Sequence, residues 1–242
     1  MKPRLTTNVA EDANVIPVYV NAGQGEEAFE TIQQSIHEKS FQLFLKRVFD
    51  IIAALTLIIL FAPVLITVAL LIKCTSRGPV LYSKDRVGYG GVHFKCHKFR
   101  SMIADHSGKR HEQKCHLEKA EKGVLHKDKN DLRVTWIGKI IRRTSIDELP
   151  QLFNVLLGDM SIVGPRPLVP FMLVPYPEFK EVRCLVRPGI TGLWQIRDRA
   201  NNTSAAYMIS HDTQYIADYT FLLDMKILMQ TPIVVLSGKG AY

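Results

Sequence analysis

The segment IIAALTLIILFAPVLITVALLI, from Ile51 to Ile72, carries no charged side chain. As a helix it would reach roughly 33 Å, about the thickness of a bilayer core. A buried helix of a soluble protein rarely combines that length with that uniformity, so the segment is expected to enter a membrane. It lies too far from the N-terminus for a cleavable signal, and no small-residue cleavage site follows it. Two features separate it from a plain span. Pro63, near its middle, removes a backbone hydrogen bond and kinks a helix. Basic residues flank both ends, Lys46 and Arg47 before and Lys73 and Arg77 after. Positive charge marks the cytoplasmic side of a membrane helix, so both ends ask for the same side. A helix that enters, bends at Pro63 and returns satisfies both flanks. An ordinary kinked span satisfies one, and prolines are tolerated in such spans. The segment alone leaves both readings open. Asp50, just ahead of the apolar run, is expected at the interface.

The rest of the 242-residue chain suffices for one large domain, or a domain with appendages. A formal net charge of +8 calls for an anionic partner: nucleic acid, a phospholipid surface or a phosphorylated substrate. The four cysteines are scattered with no C-x-x-C, which argues against a disulfide framework and for a reducing environment. Residues 1–25 are polar, lack a sustained period and are expected to be disordered. Over 26–49, Phe29, Ile32, Ile36, Phe41, Phe44, Leu45 and Val48 recur mostly three or four apart. That pattern predicts an amphipathic helix, lying on a membrane surface or packed on its own domain.

Past the apolar segment, Val80–Tyr82 and Val92–Cys96 predict two short strands around the glycines at 88, 90 and 91. These glycines lack the G-K-[ST] of a phosphate loop. Residues 93–116 hold His93, Cys96, His97, His106, His111, Cys115 and His116, but no tight ligand pair, and lysines and arginines are interleaved. A solvated basic loop fits better than a zinc site. No helix-turn-helix, zinc-finger or RNP pattern is present, so nucleic acid is not an expected partner.

The stretch RRTSIDELPQL sets Asp147 and Glu148 side by side behind Arg142 and Arg143. Ser145 and Glu148 have capping-box spacing, but that register strands Pro150 inside the helix. With Asp147 as N-cap, Pro150 falls in the first turn, where its missing N–H costs nothing. Upstream, Ile137, Ile140 and Ile141 predict a short helix ending in the two arginines. Downstream, Leu152, Phe153, Leu156 and Leu157 predict another, ended by Gly158. Capping or ion pairing could account for the acids. So could chemistry: Arg142, Arg166 in GPRP and Arg187 in RPGITG sit on short or rigid supports and could converge on them. Arginine forks suit phosphate oxygens, adjacent carboxylates can hold Mg²⁺, and a carboxylate can attack phosphorus.

In order along the chain, KRVFDI, RVG, KFRSM, RRTSIDELPQLFNVLLGDMSIVGPRP, RPGITGLWQ and the closing DMKILMQTPIVVLSGKGAY resemble the bacterial sugar transferases, the monotopic polyprenyl-phosphate phosphoglycosyl transferases. The resemblance runs from about Lys46 to Tyr242. It implies an α+β, mainly helical fold: a re-entrant membrane helix over 50–73, broken at Pro63, and a cytoplasmic catalytic domain over 74–242. Asp147 then matches the nucleophile, and Glu148 its Mg²⁺-binding partner. Arg142 and Arg166 match arginines at the substrate phosphate, with Arg187 grouped beside them, and Lys46 and Arg47 match residues at phospholipid head groups. The implied reaction moves a sugar-1-phosphate, of galactose or glucose type, from a UDP-sugar to undecaprenyl phosphate at the bacterial inner membrane, the first membrane step of exopolysaccharide synthesis. A homodimer is one assembly left open. The chain departs from the family's pattern at Ala62 before Pro63, at NDLR in place of N-D-P-R, and at IRDRANNT after Trp194-Gln195. A catalytically silent membrane scaffold of an export complex is the alternative function.

Overall fold

The computed structural model describes residues 25–103, 133–198 and 205–236. The tail, residues 106–116 of the His/Cys-rich stretch, most of IRDRANNT and the GKGAY end lie outside them. Helix α1 spans Gly25–Glu38 and α2 spans Ser40–Thr75. The described helices therefore break at Lys39, and α2 carries the end of the predicted amphipathic run and the whole apolar segment. The two readings of that run divide between the helices. On α1, Ile32 and Ile36 are buried in the main core, each contributing roughly 1.5–3 kcal/mol. On α2, Phe41, Phe44, Leu45 and Val48 are exposed. They begin an apolar face that continues through Ile52, Leu55, Ile59 and Leu60.

Helix α2 has 36 residues, about 54 Å at 1.5 Å each. Among the described residues it is the one helix long and apolar enough to cross a membrane. Pro63 lies inside it. Its missing N–H frees a carbonyl one turn back, and Thr67 Oγ1 donates to Pro63 O at 2.8 Å. Both features favour bending of a helix at that turn.

Both ends of α2 are fastened to the same domain. Near the start, Arg47 donates to the carbonyls of Val155 and Leu156 (2.7 and 3.2 Å). Asp50, expected at the interface, is 2% exposed and accepts the Ile162 N–H at 2.9 Å. Near the end, Val68 and Ile72 pack with Phe99, Ile137 and Ile141.

Strands β1 (Leu81–Val87) and β2 (His93–Phe99) form an antiparallel hairpin, Lys84 opposite Cys96. Its turn uses positive φ at Gly90 and Gly91, as the sequence led us to expect. Helix α3 covers Trp136–Arg143, capped by Thr135, whose Oγ1 accepts the Gly138 N–H. A tight 3₁₀ turn, Ile146–Glu148, leads into α4, Gln151–Leu157. The short parallel pair β3 (Ser161–Val163) and β4 (Gly189–Thr191) locks GPRP against RPGITG. A Cβ at Gly189 would meet Gly164 N at 2.0 Å, so only glycine allows this backbone approach. Helices α5 (Pro177–Arg183), α6 (Leu193–Asp198), α7 (Ala205–Ala217) and α8 (Phe221–Leu236) complete a mainly helical α+β fold.

Candidate active site

The structure corrects the expected capping register. Pro150 is the N-cap of α4, and Asp147 and Glu148 lie one turn earlier in the 3₁₀ segment. The N–H groups of a helix's first turn have no partner within it, so a proline is tolerated in either register, and here it stands at the boundary between the 3₁₀ turn and α4. Ser145, just before the turn, has φ 58°, the one positive value at a described non-glycine residue. Such backbone is mildly strained and collects at functional sites.

Asp147 and Glu148 are 6% and 8% exposed. Burial of adjacent carboxylates demands compensating charge, and cations supply it. Arg166 donates to Glu148 Oε1 at 2.8 Å, and Lys98 donates to the same oxygen. Glu148 above all, with Asp147 adding to it, holds the Arg166 guanidinium above its ordinary pKa. Arg142, at the C-terminal end of α3, donates from Nε to Ser101 Oγ at 2.8 Å. Arg86 adds a further cation: burial lowers its pKa, opposed by Cys96 and Glu148, and its Nε has no partner among the described residues.

Lys98 and Arg86 were not singled out from the sequence, although a signal was present. Along β2, Phe94 and Cys96 are buried on one face at period two, and Lys98 continues that face inward. An inward lysine at the end of a buried stripe needs a carboxylate. Asn154 is a second missed position. It is fully buried in α4, its Oδ1 accepts the His97 N–H (3.0 Å), and its Nδ2 donates to Lys95 O (2.8 Å). It thereby pairs with the outer edge of β2 and fixes the hairpin bearing Lys98 against the helix that follows Glu148.

Three expected site residues lie elsewhere. Arg187 donates from Nε to Gly158 O at 2.9 Å, and its guanidinium lies 5.4 Å from the Tyr89 ring centroid. It stands at the C-terminal end of α4, with the acids ahead of that helix's start, because that end leaves carbonyls for a cation to satisfy. Arg47 serves the same end. Lys46, expected at lipid head groups, is 8% exposed and forms an ion pair with Asp224 at 2.6 Å. Tyr215 donates to the other Asp224 oxygen at 2.8 Å.

Among the described residues no three histidine, cysteine or acidic side chains gather as a metal site. Two adjacent carboxylates still fit Mg²⁺, which commonly takes one or two carboxylates and fills its shell with water and phosphate oxygens. His93, Cys96 and His97 lie along β2, and Cys74, Cys96 and Cys184 are free thiols.

A buried acid pair next to a left-handed backbone residue, with lysine and arginine bonded to it, stands in a chain that also carries one membrane-length apolar helix. The chain belongs to the bacterial sugar transferase family, whose model matches residues 41–238. It is 41% identical over 214 residues to the undecaprenyl-phosphate galactose phosphotransferase of Salmonella typhimurium, covering 87% of this chain and 44% of that protein. It is 38% identical over 200 residues to the exopolysaccharide production protein ExoY of Rhizobium meliloti, covering 81% and 88%. With the exopolysaccharide production protein PSS of Rhizobium leguminosarum bv. phaseoli it shares 41% over 210 residues, covering 82% and 98%. The chain thus spans somewhat under half of the first of these relatives and most of the other two.

Proposed function

We propose that the protein transfers a sugar-1-phosphate, of galactose or glucose type, from a UDP-sugar to undecaprenyl phosphate and releases UMP. The observation that carries this reading is the buried Asp147–Glu148 pair with Lys98 and Arg166 gathered on Glu148. Asp147 is the nucleophile. Its carboxylate oxygen attacks the phosphorus that bears the sugar, the bond from that phosphorus to the bridging oxygen breaks, and UMP leaves with the electron pair. A phosphate oxygen of undecaprenyl phosphate then attacks the same phosphorus. Asp147 regains its carboxylate, and the product is a lipid diphosphate sugar. Two turns of one small site let a soluble donor and a lipid acceptor react without meeting.

Glu148 keeps Lys98 and Arg166 in place while the site is empty, and the arriving diphosphate competes for both cations. Their charge permits a carboxylate to approach an anionic phosphorus. Glu148 is the residue that would hold Mg²⁺, which when bound supplies further neutralisation of the diphosphate. The fastening of both α2 ends to one domain supports a re-entrant α2 and a catalytic domain on the cytoplasmic face of the bacterial inner membrane.

The test is UMP release by the purified protein with undecaprenyl phosphate, Mg²⁺ and a panel of UDP-sugars. Release with one donor, abolished in Asp147→Asn, is expected. Full turnover by Asp147→Asn would overturn the mechanism, and no release with any donor would overturn the activity.

A further inference from the structure

The four residues Lys98-Phe99-Arg100-Ser101 touch both the candidate site and the membrane helix. Lys98 donates to Glu148. Phe99 is packed with Val68 and Ile72 of α2 and with Ile137 and Ile141 of α3. Ile146, the residue before Asp147, lies against that same cluster. Arg100 is 5% exposed and spends its guanidinium on the end of α2. Its Nη1 donates to Arg77 O (2.6 Å), and its Nη2 to Ser76 O (2.7 Å), Ser76 Oγ (2.9 Å) and, more weakly, Ile72 O (3.5 Å). Ser101 Oγ accepts from Arg142 Nε.

A helix end leaves its last carbonyls unsatisfied, and a buried arginine that satisfies them is an expensive way to cap. A lysine or water at the surface would serve if capping were the whole task. Here the capping residue stands between a side chain that holds Glu148 and one that holds Arg142. We propose that Arg100 and Ser101 are positioning residues, which tie the cations of the site and the Ile146–Glu148 turn to the C-terminal end of the membrane helix. Displacing that end displaces Lys98 and Arg142 together. The membrane helix is then part of the frame of the active site, beyond its role as an anchor.

This rests on the reading of Asp147 and Glu148 as the reacting pair, so two measurements are paired. Ser101→Ala removes only the contact to Arg142, since the backbone bond from Thr135 N to Ser101 O remains. It should lower kcat for UMP release about tenfold, leave KM for undecaprenyl phosphate unchanged and lower the melting temperature by only about 2–4 °C. Unchanged kcat would overturn the role of Ser101. Arg100→Gln is read by amide hydrogen exchange, which requires no turnover. Exchange should quicken at residues 146–149 as well as at 72–77, with the β3 amides as the unaffected reference. Quickening confined to 72–77 would reduce Arg100 to a cap and overturn the proposal. If the parent protein releases no UMP, the transfer reading fails, and the exchange result still decides the positioning role.

Discussion

Arg183 stands directly behind Arg166. It is 4% exposed, its Nη2 donates to the Arg166 carbonyl, and Asp212 lies 4.0 Å away, itself 1% exposed. The pair makes no hydrogen bond: Arg183 Nη1 and Asp212 Oδ2 lack hydrogen-bond partners among the described residues. Burial pushes the Asp212 carboxyl from 3.8 up to about 7, outweighing the pull of Arg183 and Arg166. Between roughly pH 4 and 7 the folded chain therefore holds a proton that the unfolded chain has lost. Stability from this group is full at low pH and falls as pH rises through the window, by at most about 1.4 kcal/mol per unit. Asp212→Asn removes that slope. Unfolding of the two proteins in matched detergent should give a stability difference, parent minus variant, that declines from pH 4 to 7 and is level above it. A level difference throughout would show that burial does not raise the Asp212 carboxyl above its ordinary range. Single residues were legible in the sequence where they were contiguous with an unusual pattern, as with Asp147 and Glu148. Lys98 was not, because its meaning depends on which face of a strand it occupies. Lys46 misled because a lysine beside an apolar run looks the same whether it meets lipid or a buried aspartate such as Asp224.

At the scale of elements, spacing predicted the hairpin, α3 and α4 but only part of their buried faces: Ile137, Ile141 and Leu152 are buried, whereas Ile140, Phe153 and Leu157 are exposed. Asp147 as N-cap would start α4 too early, because a 3₁₀ turn comes first and Pro150 is itself the N-cap. A 3₁₀ turn followed by a separate helix satisfies the same sequence, and burial of the acids selects it. Helix α3 packs closely on the chain leaving β2. A Cβ at Gly138 would lie 2.0 Å from Ser101 O and 2.9 Å from Thr135 Oγ1. The first is backbone and cannot rotate away. Gly138→Ala should cost about 1–3 kcal/mol or more, despite the usual gain from replacing a helical glycine. Activity should drop with it, since α3 carries Arg142. Denaturant unfolding checks the first outcome and UMP release the second. A variant as stable as the parent would mean that Ser101 and α3 are not in contact.

At the scale of the molecule, basic residues on both flanks of the apolar run would favour a returning helix. Lys46, however, is buried in an ion pair with Asp224, and Arg47, half-buried, donates to two carbonyls of α4. The first flank therefore offers one partly engaged arginine, and no free lysine from this pair, to a membrane surface. Tertiary contact takes its place. Asp50 and Arg47 bind the region 155–162, while Val68 and Ile72 pack on α3 and Phe99. A helix anchored at both ends to one body cannot place those ends on opposite sides of a bilayer unless the body itself crosses, and among the described residues no other helix is long and apolar enough to do so. Helix α2 runs unbroken from Ser40 to Thr75, and a bend in the membrane would fall at Pro63 and Thr67, where one ladder hydrogen bond is missing. Cys74, exposed just before the helix ends, is a natural probe of the second end, and Ser40→Cys supplies one at the first. In two chains each carrying only one of these thiols, a membrane-impermeant maleimide should label both from the same face of sealed vesicles, the face that exposes the catalytic domain to protease. Labelling of Ser40→Cys from the opposite face would require α2 to span. One of its two attachments to the domain would then have to be broken in the membrane, and with it either the grip of Arg47 on α4 or that of Arg100 beside Lys98.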